Sequence, residues 1–271
     1  DYHRLLGYIY KPNDEIISSR SMVNIESGEE TLIYSVKYTT NDFGLRYTPH
    51  LTSERKHCIY FFGGSFTFGE GVNDNETLPY FVGIISGYKV INFGYHGWGA
   101  HHMLAIIENN IFFQNGECKK NTLVYQGGNY HIDRAACLMN WDYGPMYSLS
   151  DDYSAFRIGS CKVLGDAEEI FGMWPYNLRH HLYTIKAYEN IFHKPRKSLS
   201  EKKLLYKKIL IKTVKLGKQK KITNFVLLNW KCNESDELFK DIEQQSEWRL
   251  LNINLCSEKY TLSPHDGHPS P

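Results

Sequence analysis

The sequence predicts an α/β fold built on a mostly parallel β-sheet. Five short runs along the chain are rich in β-branched or aromatic residues and are apolar almost throughout, as expected for strands covered on both faces. Helix-like segments separate these runs. A repeated order of strand and helix produces right-handed crossovers, with helices on both faces of the sheet. The predicted strands are residues 58–62, 89–93, 122–126, 222–229 and 249–254.

The helix-like segments carry local signals for their ends. Pro79 falls within a first turn, where proline is tolerated, and Ser235 is a plausible N-cap. Apolar residues at helical spacing mark one face of the segment that follows the second strand. The predicted helices are residues 77–86, 98–113, 176–192, 199–216 and 235–246.

The chain divides into a main domain and a flanking segment. Residues 1–56 read as an N-terminal flanking segment with extended structure, and residues 57–271 contain all five predicted strands. Within the main domain, residues 130–175 are rich in Tyr, Gly, Asp and Met and show little periodicity. A connection of that length without a pattern of its own is typical of an insertion near a functional edge, or of a lid.

Composition and charge narrow the classes of partner. Of 271 residues, 42% are apolar, which is enough for a sizeable core, and 31 basic residues nearly balance 30 acidic ones. We therefore expect no nucleic-acid partner. The lysine-rich stretch 194–221 has apolar residues at helical spacing, which favours a solvated helix face over a nucleic-acid or lipid surface. No apolar run approaches the roughly 18 residues of a membrane span.

The six cysteines form no CxxC pair, so a thiolate metal site is not expected. Cys58 and Cys256 lie in apolar, strand-like runs and are interpreted as small buried hydrophobic residues. Disulfides among the remaining four stay open. These four are Cys118, Cys137, Cys161 and Cys232.

The first predicted strand ends in FFGGSFTFGEG. Two glycines let the backbone turn sharply, so Ser65 would lie at the carboxyl edge of the sheet, where open α/β sheets bind ligands. The alternative is a glycine-rich turn with an incidental serine. Phosphate-loop and dinucleotide-loop interpretations fail, because the lysine of the first and the third glycine of the second are missing.

The second and third strands also end in glycines. NFGYHGWGAHH contains Gly97 and three histidines, His96, His101 and His102, whose spacing favours surface or pocket-rim histidines over a metal site. The third strand is followed by GGN, where the amide of Asn129 could face a developing oxyanion or serve as an ordinary turn residue.

The last polar group lies near the C-terminus, in SPHDGHPSP. A carboxylate close to a histidine can orient the imidazole, which then accepts the proton of a serine. Asp266 and His268 fit those roles, although a His/Asp turn near a terminus is ordinary. Because polar groups follow four strands at one edge of the sheet, the four signals are stronger together than apart.

These motifs resemble the blocks of the SGNH (GDSL-like) hydrolase superfamily. GGSFTFGEG resembles the first block, NFGYHG the second, GGN the third and DGHP the last, in the same order and strand positions. The resemblance runs from about residue 57 to the end. NDFGLRYTP, just before it, also looks like a segment that often introduces such domains in bacterial members.

The resemblance implies a three-layer α/β/α, flavodoxin-like fold and hydrolysis of carboxylic esters, with no metal or organic cofactor. Ser65 would be the nucleophile, His268 its general base, and Asp266 the residue that holds His268. The backbone N–H groups of Ser65 and Gly97 and the amide of Asn129 would form the oxyanion hole. The implied substrate is a small-molecule, glycan or lipid acyl ester.

Three positions depart from the family pattern. Gly64 replaces the usual aspartate before the serine, and Tyr130 replaces the aspartate that commonly follows the block-three asparagine. One residue separates Asp266 from His268 where two are usual, so a backbone carbonyl could orient the histidine instead.

Two other functions remain open. An O-acyltransferase would use the same serine, with a sugar hydroxyl in place of water, and a catalytically silent domain would bind a glycan or a protein. Arg134, Tyr130 and Trp98 are candidates for substrate contacts; Arg134 would bind an anionic group or form a structural ion pair. The family analogy leans toward a bacterial, extracytoplasmic setting, and the start at Asp1 leaves room for an upstream targeting segment.

Overall fold

A computed structural model gives the fold of the chain. It describes residues 2–24, 27–49, 57–111, 118–138, 144–161, 197–230, 237–253, 260–263 and 266–270, with the backbone alone at 266 and 267.

The described residues contain thirteen strands and six α-helices. The strands are β1 (Tyr2–His3), β2 (Gly7–Tyr8), β3 (Glu15–Val23), β4 (Glu30–Thr39), β5 (His57–Gly63), β6 (Lys89–Gly94), β7 (Lys120–Gly127), β8 (Pro145–Leu149), β9 (Ala155–Ser160), β10 (Asn224–Trp230), β11 (Trp248–Ile253), β12 (Thr261–Ser263) and β13 (Asp266–Pro269). The helices are α1 (Ser65–Phe68), α2 (Leu78–Ser86), α3 (Ala100–Glu108), α4 (Tyr130–Ala135), α5 (Leu199–Gln219) and α6 (Glu237–Gln245), with a 3-10 turn at Asp74–Glu76.

The central sheet has five strands in the order β11-β10-β7-β5-β6. Every pair in it is parallel. Numbered by their order along the chain, the strands run 2-1-3-4-5, which is the flavodoxin-like order. The predicted α/β fold with its parallel sheet is confirmed. Because the strands are parallel, β5, β6 and β7 all end at the same edge, in Gly63, Gly94 and Gly127.

Both faces of the sheet are covered. On β5, Cys58, Tyr60 and Phe62 belong to a large cluster that includes residues of α3, α5 and α6. Ile59 and Phe61, which alternate with them, belong to a second cluster packed against α2. Successive residues of a strand point to opposite faces, so a strand covered on both sides is apolar throughout. This arrangement explains the continuous apolar runs of the sequence.

The helix ends follow the local signals. Thr77 caps α2 by accepting a hydrogen bond from the Tyr80 N–H, and Pro79 lies in the first turn. Ser198 and Glu201 form a capping box at the start of α5, which extends to Gln219. Helix α3 ends at Glu108, earlier than the predicted residue 113. The predicted helix 176–192 and the cap at Ser235 lie outside the described residues.

Four lysines of α5 pair with carboxylates of this chain. The pairs are Lys202–Asp133, Lys207–Asp241, Lys212–Glu108 and Lys218–Glu247. The apolar face of α5 is buried in the core, as its spacing predicts.

No helix in the part of the chain that the structure describes combines the length and the apolar character needed to cross a membrane.

The N-terminal segment forms two antiparallel pairs, β1–β2 and β3–β4, and packs into the main domain. Leu6 and Leu45 are buried in the same core cluster as the central sheet. Arg46, from the NDFGLRYTP motif, is only 1% exposed. Its guanidinium donates to the carbonyls of Gly69 and Val72, at 2.8 and 2.7 Å, and therefore fixes the turn that follows α1.

The described part of the 130–175 insertion consists of α4 and an antiparallel hairpin, β8–β9. The hairpin packs on the helical layer: Tyr147 donates to Glu108 of α3, and Lys212 of α5 donates to the Ala155 carbonyl at 2.8 Å. Residues 139–143 and 162–175 lie outside the described residues, so a lid over the functional edge stays a prediction.

Two disulfides link Cys58 to Cys118 and Cys137 to Cys161. Cys58 is buried, as expected, but its sulfur is bonded to Cys118 in the segment before β7, a disulfide that the sequence interpretation did not include. Cys232 and Cys256 lie outside the described residues. Disulfides persist in oxidising compartments, so this pattern is consistent with an extracytoplasmic protein.

Candidate active site

Ser65 is the first residue of α1, directly after the glycines that end β5. Gly63 leaves no room for a side chain, and a side chain at Gly64 would displace the end of Arg134. A Cβ on Gly63 would lie 2.0 Å from Thr67 Oγ1, and one on Gly64 would lie 2.6 Å from Arg134 Nη1. The chain therefore turns tightly, and Ser65 lies at the carboxyl edge of the parallel sheet.

His268 lies on β13, which pairs with β12 in an antiparallel hairpin. Its Nε2 is 2.9 Å from the Oγ of Ser65, across 203 positions of sequence. The ring of Phe66 packs edge-on against the imidazole at 5.2 Å between centroids. The structure thus brings the predicted serine and histidine within hydrogen-bond distance.

Asp266 lies on the same short strand, opposite Ser263. Its side chain is outside the described residues, so its contact with His268 stays a prediction.

Glu70 is a carboxylate that the sequence interpretation missed. Its Oε2 lies 3.2 Å from His268 Nε2 and 3.1 Å from His96 Nε2. Tyr34, on β4, donates to Oε1 at 3.4 Å. Glu70 follows Ser65 by five residues within GGSFTFGEG, but that spacing alone does not mark it as a partner of His268.

Glu70 is ionised under ordinary conditions. Burial by itself would raise the pKa of this carboxyl, but hydrogen bonds from His268 and His96 outweigh that effect and hold it well below its usual range. On the far side of His96, the Tyr10 hydroxyl lies 3.1 Å from Nδ1. Burial raises the pKa of Tyr10 to about 12, so its hydroxyl keeps its proton and can donate it to that nitrogen.

Gly97 and Asn129 follow the two strands that flank β5. Gly97 adopts a left-handed backbone (φ 73°) in the turn after β6. This turn is tied to the serine turn, because the Tyr95 N–H donates to the Gly63 carbonyl at 3.2 Å. Asn129 is the N-cap residue of α4, directly after β7. The predicted oxyanion-hole residues therefore lie on neighbouring loops at one edge of the sheet.

Arg134 ties these loops together. Its Nη1 donates to the Trp98 carbonyl at 3.0 Å, and its guanidinium lies 5.0 Å from the centroid of the Tyr130 ring. Among the described residues, no carboxylate pairs with it. Its guanidinium also lies beside Gly64, where a side chain would displace it.

The side chain of Trp98 does not face the edge of the sheet. It is 1% exposed and stacks between Tyr95 and His102. A substrate contact through the indole is therefore not supported. Trp98 contributes its backbone carbonyl instead, which accepts the hydrogen bond from Arg134.

The three histidines of the second block separate in space. His96 is partly exposed and binds Glu70, whereas His101 and His102 are buried in the core, contrary to their interpretation as rim residues. Burial lowers the pKa of His101 to about 3 and that of His102 well below its usual value. Over the described residues, no three metal-binding side chains converge on one point.

A cavity of about 370 Å³ borders Asn129 on the side of α5 and α6. Its lining mixes apolar and charged side chains. They are Asn129, Tyr130, Ile132, Asp133, Leu199, Lys203, Glu237 and Leu238.

No family model matches the chain, and no curated protein does. Among solved structures, the chain is similar to a member of the lipolytic protein G-D-S-L family from Veillonella parvula DSM 2008, at 12% identity, over 79% of this chain and 90% of that one, with a TM-score of 0.38. It is also similar to AlinE4, an SGNH-hydrolase family esterase, at 13% identity, over 74% and 77% of the two chains, with a TM-score of 0.35. Identities this low leave the site residues to be interpreted from this chain alone.

Proposed function

We propose that the chain is a serine hydrolase of carboxylic esters, with Ser65 as nucleophile and His268 as general base. The observation that carries the proposal is the 2.9 Å contact between Ser65 Oγ and His268 Nε2 at the carboxyl edge of a parallel sheet. A base within hydrogen-bond reach of a serine is the arrangement that nucleophilic catalysis requires.

In the first half of the reaction, Ser65 Oγ bonds to the acyl carbon while its proton moves to His268 Nε2. The carbonyl oxygen gains negative charge, which the N–H groups of Ser65 and Gly97 and the amide of Asn129 would stabilise. The bond from the acyl carbon to the alcohol oxygen then breaks, and His268 returns the proton to the leaving alcohol. Water then bonds to the acyl carbon while His268 takes its proton, the bond from the acyl carbon to Ser65 Oγ breaks, and His268 returns the proton to Ser65 as the acid leaves.

The substrate is proposed to extend from Ser65 past Asn129 into the cavity beside α4. Tyr130 and Leu238 offer apolar contact there, and Lys203 and Glu237 offer polar contact. Such a lining suits a small-molecule ester with a polar portion.

The test is hydrolysis of p-nitrophenyl acetate by the folded chain, with Ser65→Ala and His268→Ala as variants. We expect each variant to lose roughly 10⁴-fold or more of kcat, as removal of a nucleophile or its base does. Ser86→Ala, at the end of α2, is the matched control and is expected to keep wild-type activity. Equal turnover by wild type and Ser65→Ala would overturn the proposal. Formation of an acylated sugar when a sugar acceptor is added would favour the acyltransferase alternative.

A further inference from the structure

Glu70 reaches His268 because helix α1 is short. The helix ends after four residues at Gly69, whose left-handed backbone (φ 83°) reverses the chain. The N–H of Glu70 donates to the Ser65 carbonyl at 3.0 Å, so the nucleophile and the carboxylate are held by one turn. Arg46 fixes that turn from the N-terminal segment.

The carboxylate of Glu70 is surrounded by hydrogen-bond donors. His268 and His96 approach Oε2, Tyr34 approaches Oε1, and the side chain of Glu70 is only 18% exposed. Tyr10 lies behind His96, and through these contacts the network joins β4, the turn after β6 and the β13 strand. These are the titratable groups found against Glu70 among the described side chains.

Glu70 faces the His268 nitrogen that would receive the proton of Ser65. An ionised carboxylate only accepts hydrogen bonds, so a histidine nitrogen that faces it is stabilised in its protonated form. The nitrogen of His268 that faces Glu70 is Nε2, the same atom that lies 2.9 Å from Ser65 Oγ. When the Ser65 O–H bond breaks, the new N–H bond therefore forms beside a negative charge.

We propose that Glu70, held by His96, is a positioning residue that acts through His268 and stabilises the imidazolium formed when Ser65 loses its proton. This role rests on the proposed function and adds a residue outside the predicted Ser-His-Asp set. His96 shares the same carboxylate oxygen, so it limits how strongly Glu70 favours the protonated form of His268.

Two variants with opposite expected effects test the proposal. Glu70→Gln removes the charge, so the pKa of His268 falls by about one unit or more. His96→Phe keeps the ring packing on Phe68 but removes the competing N–H, so the pKa of His268 rises. Glu15→Gln, whose exposed carboxylate pairs with Lys37 far from the site, is the matched control and leaves the pKa unchanged.

The pKa is read directly from the NMR titration of the His268 ring, assigned with His268→Asn. The pH profile of Ser65 labelling by a fluorophosphonate gives a second readout. Its acidic limb should move to lower pH in Glu70→Gln and to higher pH in His96→Phe, with labelling of Glu70→Gln about tenfold slower on the plateau. If Glu70→Gln does not fold, Glu70→Asp, which keeps the charge but shortens the side chain, should give a smaller shift in the same direction.

The outcomes separate the two proposals. If wild type is labelled and active but His268 titrates identically in wild type and Glu70→Gln, the role of Glu70 is overturned and the proposed function stands. If folded wild type is neither labelled nor active, the proposed function falls, and the role of Glu70 falls with it. A shift in the same direction in both variants would indicate general disruption of the site and would also overturn the role of Glu70.

Discussion

The buried guanidinium of Arg46 donates a hydrogen bond of 2.8 Å to the carbonyl of Gly69, the residue that ends helix α1. It also pairs with Asp74 at 2.9 Å and stacks on the rings of Tyr38 and Phe68. The N-terminal segment thus supports the turn that carries both Ser65 and Glu70. The described part of the N-terminal flank therefore contributes to the structure of the candidate site through Arg46 and Tyr34.

Replacing Arg46 should destabilise the protein strongly. Arg46→Met removes the charged donor from the Asp74 carboxylate and from the carbonyls after α1, at a cost of roughly 3 kcal/mol or more in the free energy of unfolding. Arg46→Lys should retain only part of the stability lost in Arg46→Met, because an ammonium lacks the planar fork that reaches several acceptors. Urea denaturation measures both. Lys37→Met, at an exposed ion pair, is the control and should cost less than about 1 kcal/mol; an equal loss in both positions would contradict this role of Arg46.

The Cys58–Cys118 disulfide should contribute substantially to stability. It closes a loop of 60 residues, for which the loss of chain entropy in the unfolded state corresponds to about 4 kcal/mol. The double variant Cys58→Ala/Cys118→Ala should therefore unfold at a clearly lower urea concentration. Cys137→Ala/Cys161→Ala opens a loop of 24 residues and should cost less, about 3 kcal/mol. An unchanged midpoint in the first variant would mean that this cross-link does not constrain the unfolded chain.

Acidification should destabilise the fold through its buried histidines. Burial lowers the folded-state pKa of His101, His102 and His131, so in the unfolded state these rings bind protons more readily. Their contribution to stability is fully present above the unfolded pKa of about 6.5 and is lost as pH falls below it, at up to about 1.4 kcal/mol per pH unit for each ring. For His101, the loss continues down to about pH 3.

The free energy of unfolding measured at pH 7.5, 6.5 and 5.5 checks this expectation. Neither ring nitrogen of His101 has a described hydrogen-bond partner, so His101→Leu should be tolerated. This variant should lower the slope of the free energy of unfolding against pH by the equivalent of about one proton. Stability that is constant from pH 7.5 to 5.5 would show that the buried rings do not titrate as expected. The carboxyl of Glu70, with its lowered pKa, adds a loss only below about pH 4.5.

The amide of Asn129 should act on the transition state. Asn129→Ala is expected to reduce kcat for p-nitrophenyl acetate by about 10²–10³-fold with little change in KM, as the loss of an oxyanion donor does. Asn109→Ala, which removes a side-chain hydrogen bond at the end of α3, is the control and should keep wild-type kcat. A kcat within threefold of wild type in Asn129→Ala would remove this residue from the oxyanion hole.

The sequence predicted the parts of the molecule that depend on local pattern. The apolar runs marked β5, β6, β7, β10 and β11, and the glycines after three of them marked the edge of the sheet where Ser65 and His268 meet. Thr77 and Pro79 likewise marked the start of α2, because capping is decided within a few residues.

The parts that depend on long-range packing were not predictable from pattern alone. Glu70 meets His268 only because α1 stops at Gly69 and because a hairpin returns the chain some two hundred residues later. The bond between Cys58 and Cys118 depends on two segments becoming neighbours. His101 is polar in sequence, and its burial follows only from the packing of α3.

The most direct test of the central claim is the mass of the protein after reaction with a fluorophosphonate, followed by identification of the modified peptide. We expect one adduct per chain, located on Ser65, with formation slowed roughly 10⁴-fold in His268→Ala. Labelling should be absent in Ser65→Ala and unchanged in Ser86→Ala. If the folded wild type gains no mass, or if the adduct lies on another residue and persists in Ser65→Ala, Ser65 is not the nucleophile.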